Sequence, residues 1–245
     1  MTFHRNHFLQ LVAVSLLFCA IAGQSSVVLP LQVSLESQQS EWVLGVPVEF
    51  TVSVTNPSNA PVKTYWSLSP LWDGISFFIS EDGINFHAFK GPEWDLGELL
   101  DVVPGTITLK PGARVQASFS LLWNGPANAK RQAATGGFAF PHVGTYFVKV
   151  RASSHFGDLI SNVARVVIMQ PRGDDAAIWE TLKADKELAR FYEFPNGDAA
   201  QGEKLQHLLN KYPNSSHTAS IKKALLIYAR QKAESERAKR ESTVR

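Results

Sequence analysis

The chain has 245 residues, a formal net charge of +2, 44% hydrophobic and 19% charged residues. That balance suits one or two globular domains with enough apolar material for a core. It excludes the basic excess of a nucleic-acid binder and the acidic excess of a disordered chain.

At the N-terminus, Arg5 stands between His4 and His7, ahead of the apolar stretch Phe8 to Ile21, which closes on Ala20-Ile21-Ala22. A positive start, a short apolar run and an A-x-A site predict a secretory signal peptide over residues 1–22, cleaved after Ala22. The run is shorter than the roughly 20 apolar residues of a membrane span. Membrane contact is therefore expected only through this segment, before cleavage. Cys19 is the single cysteine, and Phe18 precedes it where a lipoprotein anchor needs a small residue. The mature chain then has no cysteine, and its expected place is extracytoplasmic, in the periplasm or the medium. Without disulfides its stability must come from the core alone.

Strand signals follow in order. Val27 to Glu36 alternates apolar and polar residues, with Pro30 suited to an edge or a strand start. Val48 to Asn56 alternates, is rich in β-branched residues, and stops at Asn56-Pro57. Val62 to Leu68 and Ile75 to Ser80 read as two more strands. Glu81-Asp82-Gly83 turns the chain so that Asn85 to Phe89 pairs back as a hairpin. An irregular stretch, Lys90 to Pro104, precedes Thr106 to Leu109 and the turn Lys110-Pro111-Gly112. Val115 to Trp123 is a further strand, and Asn124 to Gly137 reads as an exposed loop rich in Gly, Ala and Asn. Gly144 to Ala152 and Ser161 to Met169 complete the set. Many short strands separated by turn residues predict a sandwich.

At Gln170-Pro171-Arg172-Gly173-Asp174-Asp175 the pattern changes, and the Asp pair suits a helix N-terminus. Ile178, Trp179 and Leu182 fall on one helical face. Leu205, Leu208, Leu209 and Tyr212 follow at i, i+3, i+4 and i+7 and end at Pro213. Ser215 or Ser216 is placed to cap a last helix with Ile221, Leu225 and Tyr228 on one side. Its continuation, Gln231 to Arg245, is almost wholly polar, with Arg230, Lys232, Arg237, Lys239 and Arg240 set among Glu234, Glu236 and Glu241. This helical part is too small to bury much surface alone, so it is expected to pack on the strands or on a partner.

Five pieces of the β part resemble bacterial exported proteins with an immunoglobulin-like domain, BsuPI-type inhibitor domains among them. They are Trp42 to Val48, Val54-Thr55-Asn56-Pro57 with Ala60-Pro61-Val62, Leu109-Lys110-Pro111-Gly112, Phe140 to Tyr146, and Ser161-Asn162-Val163. Each is a turn or a strand start, so the resemblance implies fold rather than function. Tyr146 in this set resembles a tyrosine corner, whose hydroxyl bonds backbone. Leu208 to Ser215 is similar to the joint between helices in tetratricopeptide-like envelope proteins, but one such unit implies no repeat array.

No nucleophile elbow, zincin, P-loop or dinucleotide motif occurs in the chain. His87, His142, His155, His207 and His217 are scattered and read as surface or turn residues, without metal-ligand spacing. Glu81, Asp82, Glu93, Asp95, Glu98 and Asp101 read as solvated turn charges. Trp66, Trp72 and Trp94 lie in or beside the connections of the first half and are the candidate ligand-binding residues. Exposed aromatics on a sandwich stack on sugars or anchor proteins; the competing reading places them in the core.

The expectation is thus a mainly β protein with an α appendage. An immunoglobulin-like antiparallel β-sandwich covers residues 25–171, and a small helical hairpin or trio covers 174–240. The expected function is non-catalytic recognition or scaffolding, binding a protein or glycan in the cell envelope or outside the cell. No catalytic residue, cofactor, metal or nucleic-acid partner is expected. The alternatives are an inhibitor-like module acting on a protease through the 124–137 loop, and a carboxylate-dependent hydrolase using Glu93 or Asp95.

Overall fold

The computed structural model describes residues 31–65, 74–89, 106–125, 136–154, 156–195 and 198–243. Thirteen strands among them precede four helices. The strands are β1 (Gln32–Ser37), β2 (Glu41–Val43), β3 (Val48–Thr55), β4 (Val62–Tyr65), β5 (Ile75–Ser80), β6 (His87–Ala88), β7 (Thr106–Leu109) and β8 (Arg114–Leu121). They continue with β9 (Trp123–Asn124), β10 (Gly137–Phe138), β11 (Gly144–Ser154), β12 (Gly157–Ile160) and β13 (Ala164–Met169). The helices are α1 (Asp174–Ala184), α2 (Lys186–Glu193), α3 (Ala199–Lys211) and α4 (Thr218–Thr243).

A three-stranded antiparallel sheet has the order β1-β3-β8. A six-stranded sheet runs β2-β13-β11-β5-β6, with β12 paired to β11. Two-stranded pairs, β4-β7 and β9-β10, complete the β part. The period-two patterns decide which side chains turn inward. Val48, Phe50, Val52 and Val54 of β3 are buried, as are Ile75 and Phe77 of β5 and Tyr146, Val148, Val150 and Ala152 of β11. Residues of both sheets join one apolar cluster. Phe50 and Phe77 carry it from one sheet to the other, with ring centroids 6.3 Å apart.

Polar side chains close the turns that the sequence marked. Asn56 is fully buried, and its Nδ2 donates to the carbonyls of Ala60 (2.8 Å) and Leu109 (2.9 Å). Its Oδ1 accepts from the Ser58 amide and hydroxyl, while its backbone carbonyl accepts from Gly112 N–H. The segments around Pro57, Pro61 and Pro111 therefore meet on one side chain. Asn162 likewise bonds both backbone groups of Leu35, at 2.9 Å each, tying the β12–β13 connection to β1. Tyr146 Oη donates to His142 O (3.1 Å) and accepts from His142 N–H (3.2 Å), the contact a tyrosine corner requires.

Several boundaries differ from the sequence reading. The predicted strand Val115 to Trp123 is split at Leu122, because the N–H groups of Leu122 and Trp123 bond the Glu193 carboxylate instead of a strand. Ser161 to Val163 is not strand; Ser161 Oγ accepts the Val150 N–H there. β2, β10 and β12 are too short to give a periodic signal. The helical part has four helices rather than two or three, because α1 and α2 are divided at Asp185. Its carboxylate accepts the Leu188 N–H at 3.0 Å and so starts a new helix.

Candidate binding groove at the seam between strands and helices

The helices pack on one end of the strands through an apolar seam. Trp179 of α1 is buried and packs at a tilted angle against Phe138, with centroids 4.5 Å apart, and Phe138 meets Trp123 edge-on at 5.4 Å. Leu122 and Trp123 belong to the same apolar cluster as Ile178, Leu182, Leu188, Leu205 and Ile221. Gly45, in the β2–β3 turn, has φ +90°, and a Cβ there would lie 2.6 Å from the Trp179 ring. The position thus needs glycine both for its backbone and for the indole it faces.

Three polar contacts lock the seam. Both oxygens of Glu193, the last residue of α2, accept backbone N–H groups, from Leu122 at 2.6 Å and from Trp123. Burial pushes this carboxyl well above the usual carboxylate range, and the two N–H donors act against that shift. Lys223 Nζ of α4 reaches Glu49 of β3 at 2.5 Å. Asp175 of α1 accepts from Ser216 N–H (2.7 Å) and Oγ (2.8 Å). Ser216 is therefore bound to α1 and does not cap α4.

His217 corrects the reading of the histidines as surface or turn residues. It is fully buried, with Nδ1 3.4 Å from Tyr192 Oη and Nε2 without a hydrogen-bond partner among the described residues. Desolvation lowers its pKa to about 4 against the pull of Asp175, so the ring is neutral at pH 7. His87, His142 and His207 are exposed. Single-sequence reading missed His217 because its burial depends on Gly45 and Tyr192, remote in the chain.

Beside this seam lies an open groove of about 540 Å³. Gln38, Gln39 and Glu41 form one rim, and Ser216, Ser220 and Lys223 form the other. Its apolar lining includes Val43, Val46, Ala219 and Met169. Trp42 also lines it, fixed by its Nε1–H to Gln39 O (3.1 Å) and Ser37 Oγ (3.2 Å). β2 is an edge strand, bonded in the six-stranded sheet only to β13. An apolar floor between polar rims, beside the outer edge of β2, is suited to extended peptide.

The other sequence candidates are placed differently. Trp66, Trp72 and Trp94 lie outside the described residues, as do Ala22, Glu93, Asp95, Glu98, Asp101, His155 and most of the 124–137 loop. Asp82 is exposed and serves its own turn, accepting from the N–H groups of Asn85 (2.7 Å) and Ile84 (2.8 Å) and from Ser80 Oγ (2.8 Å). These bonds, the Asn85 N–H first, hold its carboxyl well below the usual range. Among the described residues no group of three His, Cys, Asp or Glu could hold a metal ion, and no helix is long and apolar enough to cross a membrane.

The fold is therefore β-rich, with several sheets and four helices. No family model matches the chain, and no curated sequence does. Among solved structures it is similar to the sporulation control protein Spo0M of Bacillus subtilis, at 12% identity over 64% of this chain and 56% of that one, with a TM-score of 0.32. The CARDB domain of PF1109 from Pyrococcus furiosus matches at 12% identity over 57% of this chain and 87% of that domain, with a TM-score of 0.29. A β-glucosidase of Listeria innocua matches at 14% identity over 56% of this chain and 16% of that enzyme, with a TM-score of 0.30. The match spans little more than half the length of the sporulation protein, and none of these likenesses carries a functional argument.

Proposed function

We propose that the chain is an exported, non-catalytic recognition or scaffolding protein of the cell envelope or exterior, and that its seam groove receives an extended segment of a protein partner. In this reading the two larger sheets form an immunoglobulin-like sandwich and the helices complete its binding end. The observation that carries the proposal is the groove itself: residues of β2 and of α4 line one open channel, with apolar side chains between polar ones. The shared core and the Tyr146–His142 corner support the sandwich, and the pattern of residues 1–22 supports export.

The test places a photo-crosslinking residue at Gln39, at Ser220 or, as an outlying control, at Arg165 of the full chain in producing cells. The expected result is one product common to the first two positions, absent from the third, and lost in Ala219→Trp, which fills the groove. Crosslinks that are the same at all three positions, or that survive Ala219→Trp, would reject the groove.

A further inference from the structure

We infer that the first turn of α4 is a proton-operated wall of this groove: protonation of His217 releases Ser216 to Lys223 from β2 and β3 and dismantles the groove. The inference rests on the groove as the binding site and concerns its regulation.

His217 immediately precedes α4, and its carbonyl accepts the Ile221 N–H at 2.9 Å, so it opens the helix. Its ring is fully buried. Tyr192 of α2 lies at Nδ1, the Gly45 turn approaches Cε1, and Trp179 of α1 packs beside that glycine. Nothing accepts a hydrogen bond from Nε2 among the described residues. A second ring proton would place a buried cation at the positive end of a helix, where the macrodipole opposes it.

The charged and titratable groups around it are few. From α1, Asp175 favours the cation, but its carboxylate is already bonded to Ser216 N–H and Oγ. From α2, the Tyr192 phenol is held neutral by burial, and Glu193 is bonded to the β8–β9 backbone. From β3, Glu49 is paired with Lys223 of α4 itself. Between pH 6.5 and 4 the closed seam therefore excludes a proton that a solvated imidazole accepts. Any state in which the turn lifts away gains that proton, so acidification shifts the population toward it. The segment around it carries Ser216, Ala219, Ser220 and Lys223, which form one side of the groove.

The test uses the full chain with Cys19 replaced by serine and spin labels at Gln39→Cys, on the β2 rim, and at Lys222→Cys, an exposed α4 position next to the rim residue Lys223. Pulsed electron resonance then measures the label distance from pH 7.5 to 4.5. The expected result is one short distance at pH 7.5, with the ratio of long to short rising by up to about tenfold per pH unit below 6.5. In His217→Gln the ratio stays flat. A flat ratio in the parent chain, or the same rise in His217→Gln, overturns the inference. Far-UV circular dichroism checks that the variant folds, with His217→Phe as the replacement if it does not. The His217 Cε1 proton resonance provides a test that needs no variant at 217: titration near pH 6.5 while the distance stays short also overturns the inference. Neither measurement involves a partner, so failure here leaves the groove reading standing, whereas failed crosslinking removes the groove's binding role and leaves only the acid-driven opening of the seam.

Discussion

His217, fully buried, and Glu193, half-buried, are titratable residues with opposite pH signatures. The pKa of His217 is lowered to about 4 in the folded chain from an ordinary 6.5. Its stabilising effect is therefore complete above pH 6.5 and is lost as pH falls toward 4, by about 3 kcal/mol. Glu193 has a raised pKa, so its ionised form costs stability and protonation relieves that cost as pH falls. Comparing urea unfolding of the parent chain and His217→Gln at pH 7 and 4.5 isolates the histidine, and the parent should lose more. At Tyr146 the hydroxyl does no more than bond the His142 backbone. Tyr146→Phe should cost about 1 kcal/mol in the same measurement. Gly45→Ala should cost at least ~2 kcal/mol, because a Cβ meets both a left-handed backbone and the Trp179 ring.

At the scale of elements, the clamp between α2 and the β8–β9 break is the most exposed to test. Glu193→Ala leaves the N–H groups of Leu122 and Trp123 without their acceptor, an expected loss of about 2–4 kcal/mol by chemical denaturation. Glu193→Gln should recover only part of that, since its amide nitrogen would face one of the two donors. The far half of α4 behaves differently. Residues 232–241 are exposed along the whole helix, so ending the chain after Gln231 should shift the melting temperature by less than about 2 °C. The regular elements were legible where they are long. The alternation of Val48 to Thr55 and the spacing of Leu205 and Leu208 both appear as written. Two-residue strands and the Asp185 joint were not, because a single turn leaves no period to detect.

For the whole molecule, the strands and helices share their apolar surface. Removing everything after Gln170 would uncover Leu122, Trp123 and Phe138, which the helices now cover. The truncated chain is expected to self-associate on size-exclusion chromatography, and the full chain is expected to elute as a single species. What the sequence by itself determined is local: the alternation that turns Phe50 and Val148 inward, the proline and glycine turns, and the amphipathic faces of α1 and α3. These depend on residues within a few positions of one another, so the physics that forms them is written in the order of the chain. Only the tertiary structure decided that Asn56 gathers three turns, that Glu193 interrupts a strand 70 residues away, and that His217 is buried against Gly45 and Tyr192. The groove belongs to this second kind. Its two sides are joined by Glu49 and Lys223, more than 170 residues apart, and such contacts arise from packing remote surfaces together, which no local pattern records.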